Sequence, residues 1–228
     1  MDNSFDDMSM RARVSKETPY LKRAMMKPCF SALYWGTVVN MLASMATALT
    51  VHCALIQMGA CILMGVMSFR IGRYDKKNAE LYYVSAVGYL FYAVVTAISW
   101  FVGISYYLTP SVGMILSVIM IIGAIASFVG NICEAVAYAR TMEDIDYTMA
   151  YKWKKYLKQL IGAIVFGVVL IVAIFATGLR GMLTGMAMGA SAGVGMIVLL
   201  IGTLVWSVFA IVVGIKKPVY LYKTSNIL

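Results

Sequence analysis

The chain has 228 residues, of which 62% are hydrophobic and 13% charged, with a mean hydropathy of +0.84 and a formal net charge of +9. Soluble globular domains run at about 45–50% apolar and about 25% charged residues, so a water-soluble domain is excluded and the solvent is a bilayer. In so apolar a chain the basic excess points to anionic membrane surfaces rather than to nucleic acid.

Residues 1–29 form a polar, basic N-terminal arm. Its second half sets Tyr20, Leu21, Ala24 and Met25 against Lys22, Arg23 and Lys27. That pattern suits either a short helix lying in the membrane interface or an unstructured arm. The arm is too polar for a cleavable signal peptide, and Cys29 at its end is a candidate for acylation.

No charged residue separates Lys27 from Arg70. Forty residues of helix would reach about 60 Å, twice the roughly 30 Å hydrocarbon core. The stretch therefore divides near Thr50–His52, into spans at about 31–49 and 53–69. A second uncharged stretch, from Glu80 to Glu134, divides at Pro110, which pushes Thr109 out of helical conformation. Spans at about 82–107 and 112–137 result. The following loop carries Glu143, Asp144 and Asp146 before its lysines, an order that matches the dipole of a helix starting near Asp144–Asp146 and entering a fifth span at about 159–179. A sixth span covers about 191–215, and residues 216–228 read as a short basic C-terminal tail.

The cations test this count independently, because Lys and Arg in short loops stay on the cytoplasmic side. With six spans, eighteen of the nineteen fall on one face and only Arg180 on the other. The expected fold is an all-α polytopic membrane protein: one transmembrane domain over 30–215, six helices in three hairpins, both termini cytoplasmic. A plasma or inner membrane suits this pattern.

The strongest local motif is Gly181, Gly185, Gly189 and Gly193, whose four-residue spacing offers a groove for a neighbouring helix backbone. It predicts helix packing, an oligomer contact or pore lining. Met182, Met186 and Met188 interleave with these glycines as weak Cu(I) candidates, although eighteen methionines in the chain favour gap filling. The same stretch matches the G-x-S-x-G nucleophile pattern around Ser191, without the strand-to-helix elbow that chemistry requires. Asn40, His52, Gln57, Asn131 and Glu134 are the intramembrane polar candidates. Glu134, about 33 Å along its span, is expected at the cytoplasmic boundary within reach of water or Arg140. Lys152, Lys154, Lys155 and Lys158 alternate with Tyr151, Trp153 and Tyr156, a pattern expected to anchor the chain in anionic headgroups.

No cofactor and no catalytic constellation is indicated, so an enzyme is not expected. The reading these features favour is a transporter, or the membrane subunit of a transport system, for a small solute. The alternatives are a non-catalytic scaffold or accessory subunit bound to a partner membrane protein, and a homo-oligomeric channel.

Overall fold

The structure, a computed structural model, describes the backbone of residues 4–46, 52–104, 110–184 and 190–228, and the side chains of residues 22–46, 52–101, 118–173 and 200–228. Long uncharged stretches leave the backbone no water to bond, so its polar groups are satisfied within helices. Among the described residues six form: α1 (Ser4–Ala46), α2 (Cys53–Tyr74), α3 (Ala79–Ile104), α4 (Pro110–Glu143), α5 (Tyr147–Thr184) and α6 (Ala190–Ile227), with a 3₁₀ turn at Lys76–Asn78. Each contains a stretch long and apolar enough to cross a membrane. The chain is a multi-pass integral membrane protein.

The breaks between helices fall where the sequence places them. α1 ends and α2 begins on either side of Thr50, and α4 opens on Pro110, whose fixed φ suits a first helical turn. α5 starts directly after Asp146, whose Oδ1 accepts from the backbone N–H groups of Thr148 (2.8 Å) and Met149 (3.1 Å) as an N-cap.

The helices outrun the predicted spans. α1 is continuous through the basic arm, α5 begins twelve residues before the fifth predicted span, and α6 continues through the expected tail to Ile227. Charges bound an apolar span but do not stop a helix, and no Gly C-cap follows residue 215. The buried stripe Val213, Lys217, Leu221, Thr224 shows α6 still packing beyond that point.

Consecutive helices pack against one another, and α6 returns to α1 to close the bundle. α3 and α4 cross closely at two glycines. A Cβ on Gly88 would lie 2.7 Å from the Ala126 carbonyl oxygen and 3.2 Å from the Gly130 Cα, so only glycine allows these backbones to meet. Outward faces are apolar, with residues such as Val87 and Leu204 about two-thirds exposed, as lipid contact requires.

At one end of the bundle an aromatic layer ties five helices together. Tyr138 of α4 stacks on Phe30 of α1 (centroids 5.0 Å apart), Tyr82 of α3 (5.8 Å) and Trp153 of α5 (4.8 Å), and Trp153 meets Tyr220 of α6 edge-on (5.7 Å). The Trp153 indole N–H donates to the Thr224 hydroxyl at 3.1 Å. This corrects the expectation that the aromatics among the α5 lysines anchor in headgroups: Trp153 and Tyr156 are buried, and only Tyr151 is exposed. On a helix, residues three apart share a face, so these two rings point together into the core. Cys29 is likewise buried and its thiol faces the Met25 carbonyl, so its position does not suit acylation.

Candidate functional site

Four apolar helices bring one carboxylate and one ammonium together out of water. Glu134 of α4 is fully buried and Lys217 of α6 nearly so, with Lys217 Nζ 2.6 Å from Glu134 Oε2. Isolated charges would be prohibitively costly here, so each must be compensated. Lys217 uses its three N–H groups on Glu134 Oε2, on Asn131 Oδ1 (2.7 Å) and on the Tyr89 hydroxyl (2.5 Å). Glu134 accepts at both oxygens: Oε1 from Ser68 of α2 (3.2 Å) and Tyr138 (2.5 Å), Oε2 from Tyr89 of α3 (2.5 Å) and Lys217. The Asn131 amide N–H in turn donates to the Ser127 carbonyl, which fixes the orientation of Oδ1 toward Lys217. Every donor of the ammonium and both oxygens of the carboxylate are thus occupied.

Pro218, next to Lys217, has no N–H to give the Gly214 carbonyl, so α6 lacks one rung of its ladder at the level of the pair. Counted along the helices, Glu134 lies about 14 Å and Tyr89 about 15 Å from the helix ends at Glu143 and Ala79. The pair therefore sits one layer deeper than the aromatics.

A second polar cluster closes the bundle at that end. Asp75, buried between α2 and α3, accepts at Oδ2 from Asn78 (2.9 Å) and Thr141 of α4 (2.6 Å), and at Oδ1 from Lys22 of α1 (3.2 Å). The Tyr82 and Thr141 hydroxyls are 2.9 Å apart. At the rim, Lys77 pairs with Asp144 (3.0 Å) and Lys154 with Glu143. Burial opposes ionisation of Asp75, but the donations from Asn78, Thr141 and Lys22 outweigh it and hold the carboxyl below its ordinary value.

A depressed pKa contributes stability that is present above the unfolded value, near pH 4, and is lost as pH falls from there toward the folded value. Asp75→Asn is accordingly expected to cost about 1–2 kcal/mol at pH 7. The difference in melting temperature from wild type should shrink between pH 5 and pH 3; a difference independent of pH would show that the charge contributes nothing.

The predicted polar residues separate into three groups. Asn131 and Glu134 belong to the ion-pair site, where Glu134 is buried against Lys217 and not in reach of water, a correction to its expected boundary position. α4 continues to Glu143 and α6 continues beside it, so protein covers the side chain. Asn40 and Gln57 tie neighbouring helices: the Cys61 thiol faces Asn40 Oδ1 at 3.4 Å, and Gln57 Nε2 donates to the Tyr92 hydroxyl at 3.3 Å. His52, at the start of α2, is exposed and takes no part in the site. Of the α5 lysines, Lys154 is engaged with Glu143, and Lys154, Lys155 and Lys158 are exposed. Gly181, Gly185, Gly189, Gly193, Met182, Met186 and Met188 lie outside the residues whose side chains are described.

Sequence reasoning missed Lys217, Tyr89, Ser68 and Tyr138. The sequence reading places Lys217 in the short basic C-terminal tail. The available signal was helical periodicity through the tail, where Val213, Lys217 and Leu221 recur at intervals of four.

Compared with protein-family models, curated proteins and solved structures, the chain finds no match in any of the three.

Proposed function

We propose that this protein transports a small solute, alone or as the membrane subunit of a transport system, and that the Glu134–Lys217 pair is its gate. The observation behind this reading is the pair itself. Ionisable residues inside a membrane domain are rare, costly and concentrated on solute and ion paths. Here the pair joins α6, at a rung weakened by Pro218, to α4, and through Ser68 and Tyr89 to α2 and α3. Exchange of Lys217 for a cationic group of a solute, or of Glu134 for an anionic one, would release α6 from its neighbours. No catalytic chemistry is assigned to the site.

The arrangement that accompanies this function has three helical hairpins with both termini cytoplasmic. It is supported by the cation distribution and by the gathering of Lys22, Asp75, Asp144 and Lys154 at one end of the bundle.

One observation favours the second reading, a scaffold or accessory subunit: a pair with every hydrogen-bonding position filled can serve to fix helix register. The two readings separate in proteoliposomes. The purified protein is presented with a panel of amino acids, sugars, nucleosides and inorganic ions on a solid-supported membrane, beside the double variant Glu134→Gln/Lys217→Met. Currents from wild type that vanish in the folded double variant support the gate. Equal currents detach the pair from transport, and silence toward the whole panel together with a stoichiometric co-purified partner supports the scaffold. In right-side-out vesicles, a cysteine at exposed His52 should label from outside and one at exposed Lys76 should not.

A further inference from the structure

Where α1 and α2 separate near the charged end, they leave a groove of about 370 Å³ lined by Ala24, Met25, Pro28, Cys29, Ala32, Met67, Arg70 and Tyr74. This lies within the roughly 300–1,000 Å³ of small-molecule sites. Its lining is mostly apolar, with Arg70 and Tyr74 contributed by the last turns of α2. Arg70 is exposed, and among the described residues no carboxylate pairs with it. The nearest acid in sequence, Asp75, is turned inward and held by Asn78, Thr141 and Lys22. Among the described residues the Arg70 guanidinium is therefore a positive charge at the groove with no ion-pair partner.

We propose that the α1–α2 groove binds one anionic phospholipid of the surrounding membrane, with the Arg70 guanidinium holding its phosphodiester and an acyl chain lying against Ala32 and Met67. Three features support this occupant. The charge is complementary, and guanidinium meets a phosphate in bidentate fashion. The groove runs for about eight residues of α1, or about 12 Å, from the charged end toward the apolar middle, which matches the polar-to-apolar order of a lipid. The surface beside it is apolar, with Met25 and Val66 exposed, as expected of a bilayer-facing side. Pro28 adds a polar feature to the lining, because it has no N–H to offer the Ala24 carbonyl, which is left free to accept from a headgroup hydroxyl or ammonium.

The test is native mass spectrometry of the purified protein titrated with phosphatidylglycerol or phosphatidylcholine of identical chains. Wild type should bind one phosphatidylglycerol in preference to phosphatidylcholine. Arg70→Gln should lower that first affinity about tenfold, and Ala32→Trp, which fills the groove and leaves the charge, should lower it for both lipids. Arg140→Gln, on the exposed face of α4, should leave it unchanged. The proposal is overturned if Arg70→Gln and Ala32→Trp bind as wild type does, if the loss in Arg140→Gln equals that in Arg70→Gln, or if millimolar inorganic phosphate displaces the lipid. Should Arg70→Gln not fold, Arg70→Lys, which keeps the charge but loses the planar fork, must show an intermediate affinity, and equality with wild type overturns the bidentate contact.

Discussion

Removing either member of the buried pair alone should be among the most damaging single changes in this protein, and removing both should be milder. Glu134→Gln leaves the Lys217 ammonium 2.6–2.7 Å from partners that can no longer neutralise it. Lys217→Met leaves a carboxylate whose remaining partners are three hydroxyls. Breaking a buried pair at one partner costs about 3–5 kcal/mol, because an uncompensated charge remains in a medium that solvates it poorly. Glu134→Gln/Lys217→Met removes both charges, keeps a carbonyl acceptor for Ser68 and Tyr138, leaves the Tyr89 hydroxyl the Asn131 Oδ1 acceptor at 2.9 Å, and fills the Lys217 stem with a side chain of similar length. Its cost should fall well below the sum of the single variants, with a coupling energy of at least about 2 kcal/mol. Reversible unfolding in mixed micelles of increasing SDS content measures all four corners of the cycle. Additive losses would mean that the two groups do not sense each other, and the geometry of the site would lose its significance.

What the sequence made legible follows from what bilayers penalise. Four uncharged stretches, the break near Thr50 and the helix start at Pro110 could be read because charge and proline act locally and strongly. The helix start at Asp146 was legible because an acid followed by lysines is a dipole pattern along the chain. The ion-pair site was only half legible. Asn131 and Glu134 stand out on α4 against apolar neighbours, while Lys217 stands eighty-three positions away among residues that look like a tail. Hydropathy treats a lysine after an apolar run as the end of a span; it contains no information about which lysine has a carboxylate across the bundle. Tyr89, Tyr138 and Ser68 were hidden for a different reason. Hydroxyl-bearing residues are tolerated throughout membrane helices, so only a partner marks them as functional. The aromatics of α5 misled because Tyr and Trp near lysines also describe a headgroup belt, and the face they share is visible only once the helix phase is known.

The charge and the packing of the site depend on the same crossing. Tyr89 follows Gly88, and Glu134 lies one turn beyond Gly130, so the closeness of α3 and α4 at the two glycines sets the distance between the Tyr89 hydroxyl and the carboxylate. Gly88→Ala places a methyl 2.7 Å from the Ala126 carbonyl oxygen and 3.2 Å from the Gly130 Cα. Both contacts are with backbone, which cannot swing aside, so α3 and α4 must separate and the hydrogen bonds of the pair must lengthen. The expected loss is about 3 kcal/mol, at the upper end for an overpacked interior. Gly65→Ala meets mainly the flexible Leu90 side chain, with the Ala86 carbonyl oxygen at 3.2 Å, and should cost less. Gly59→Ala meets nothing within 4 Å and should be neutral or stabilise by up to about 1 kcal/mol, since alanine restricts the unfolded chain. The order Gly88, Gly65, Gly59 in the SDS midpoint is the discriminating result. If Gly88→Ala instead unfolds at the wild-type midpoint, the helices do not cross as closely as described, and the Tyr89 contact with Glu134 cannot be maintained as drawn.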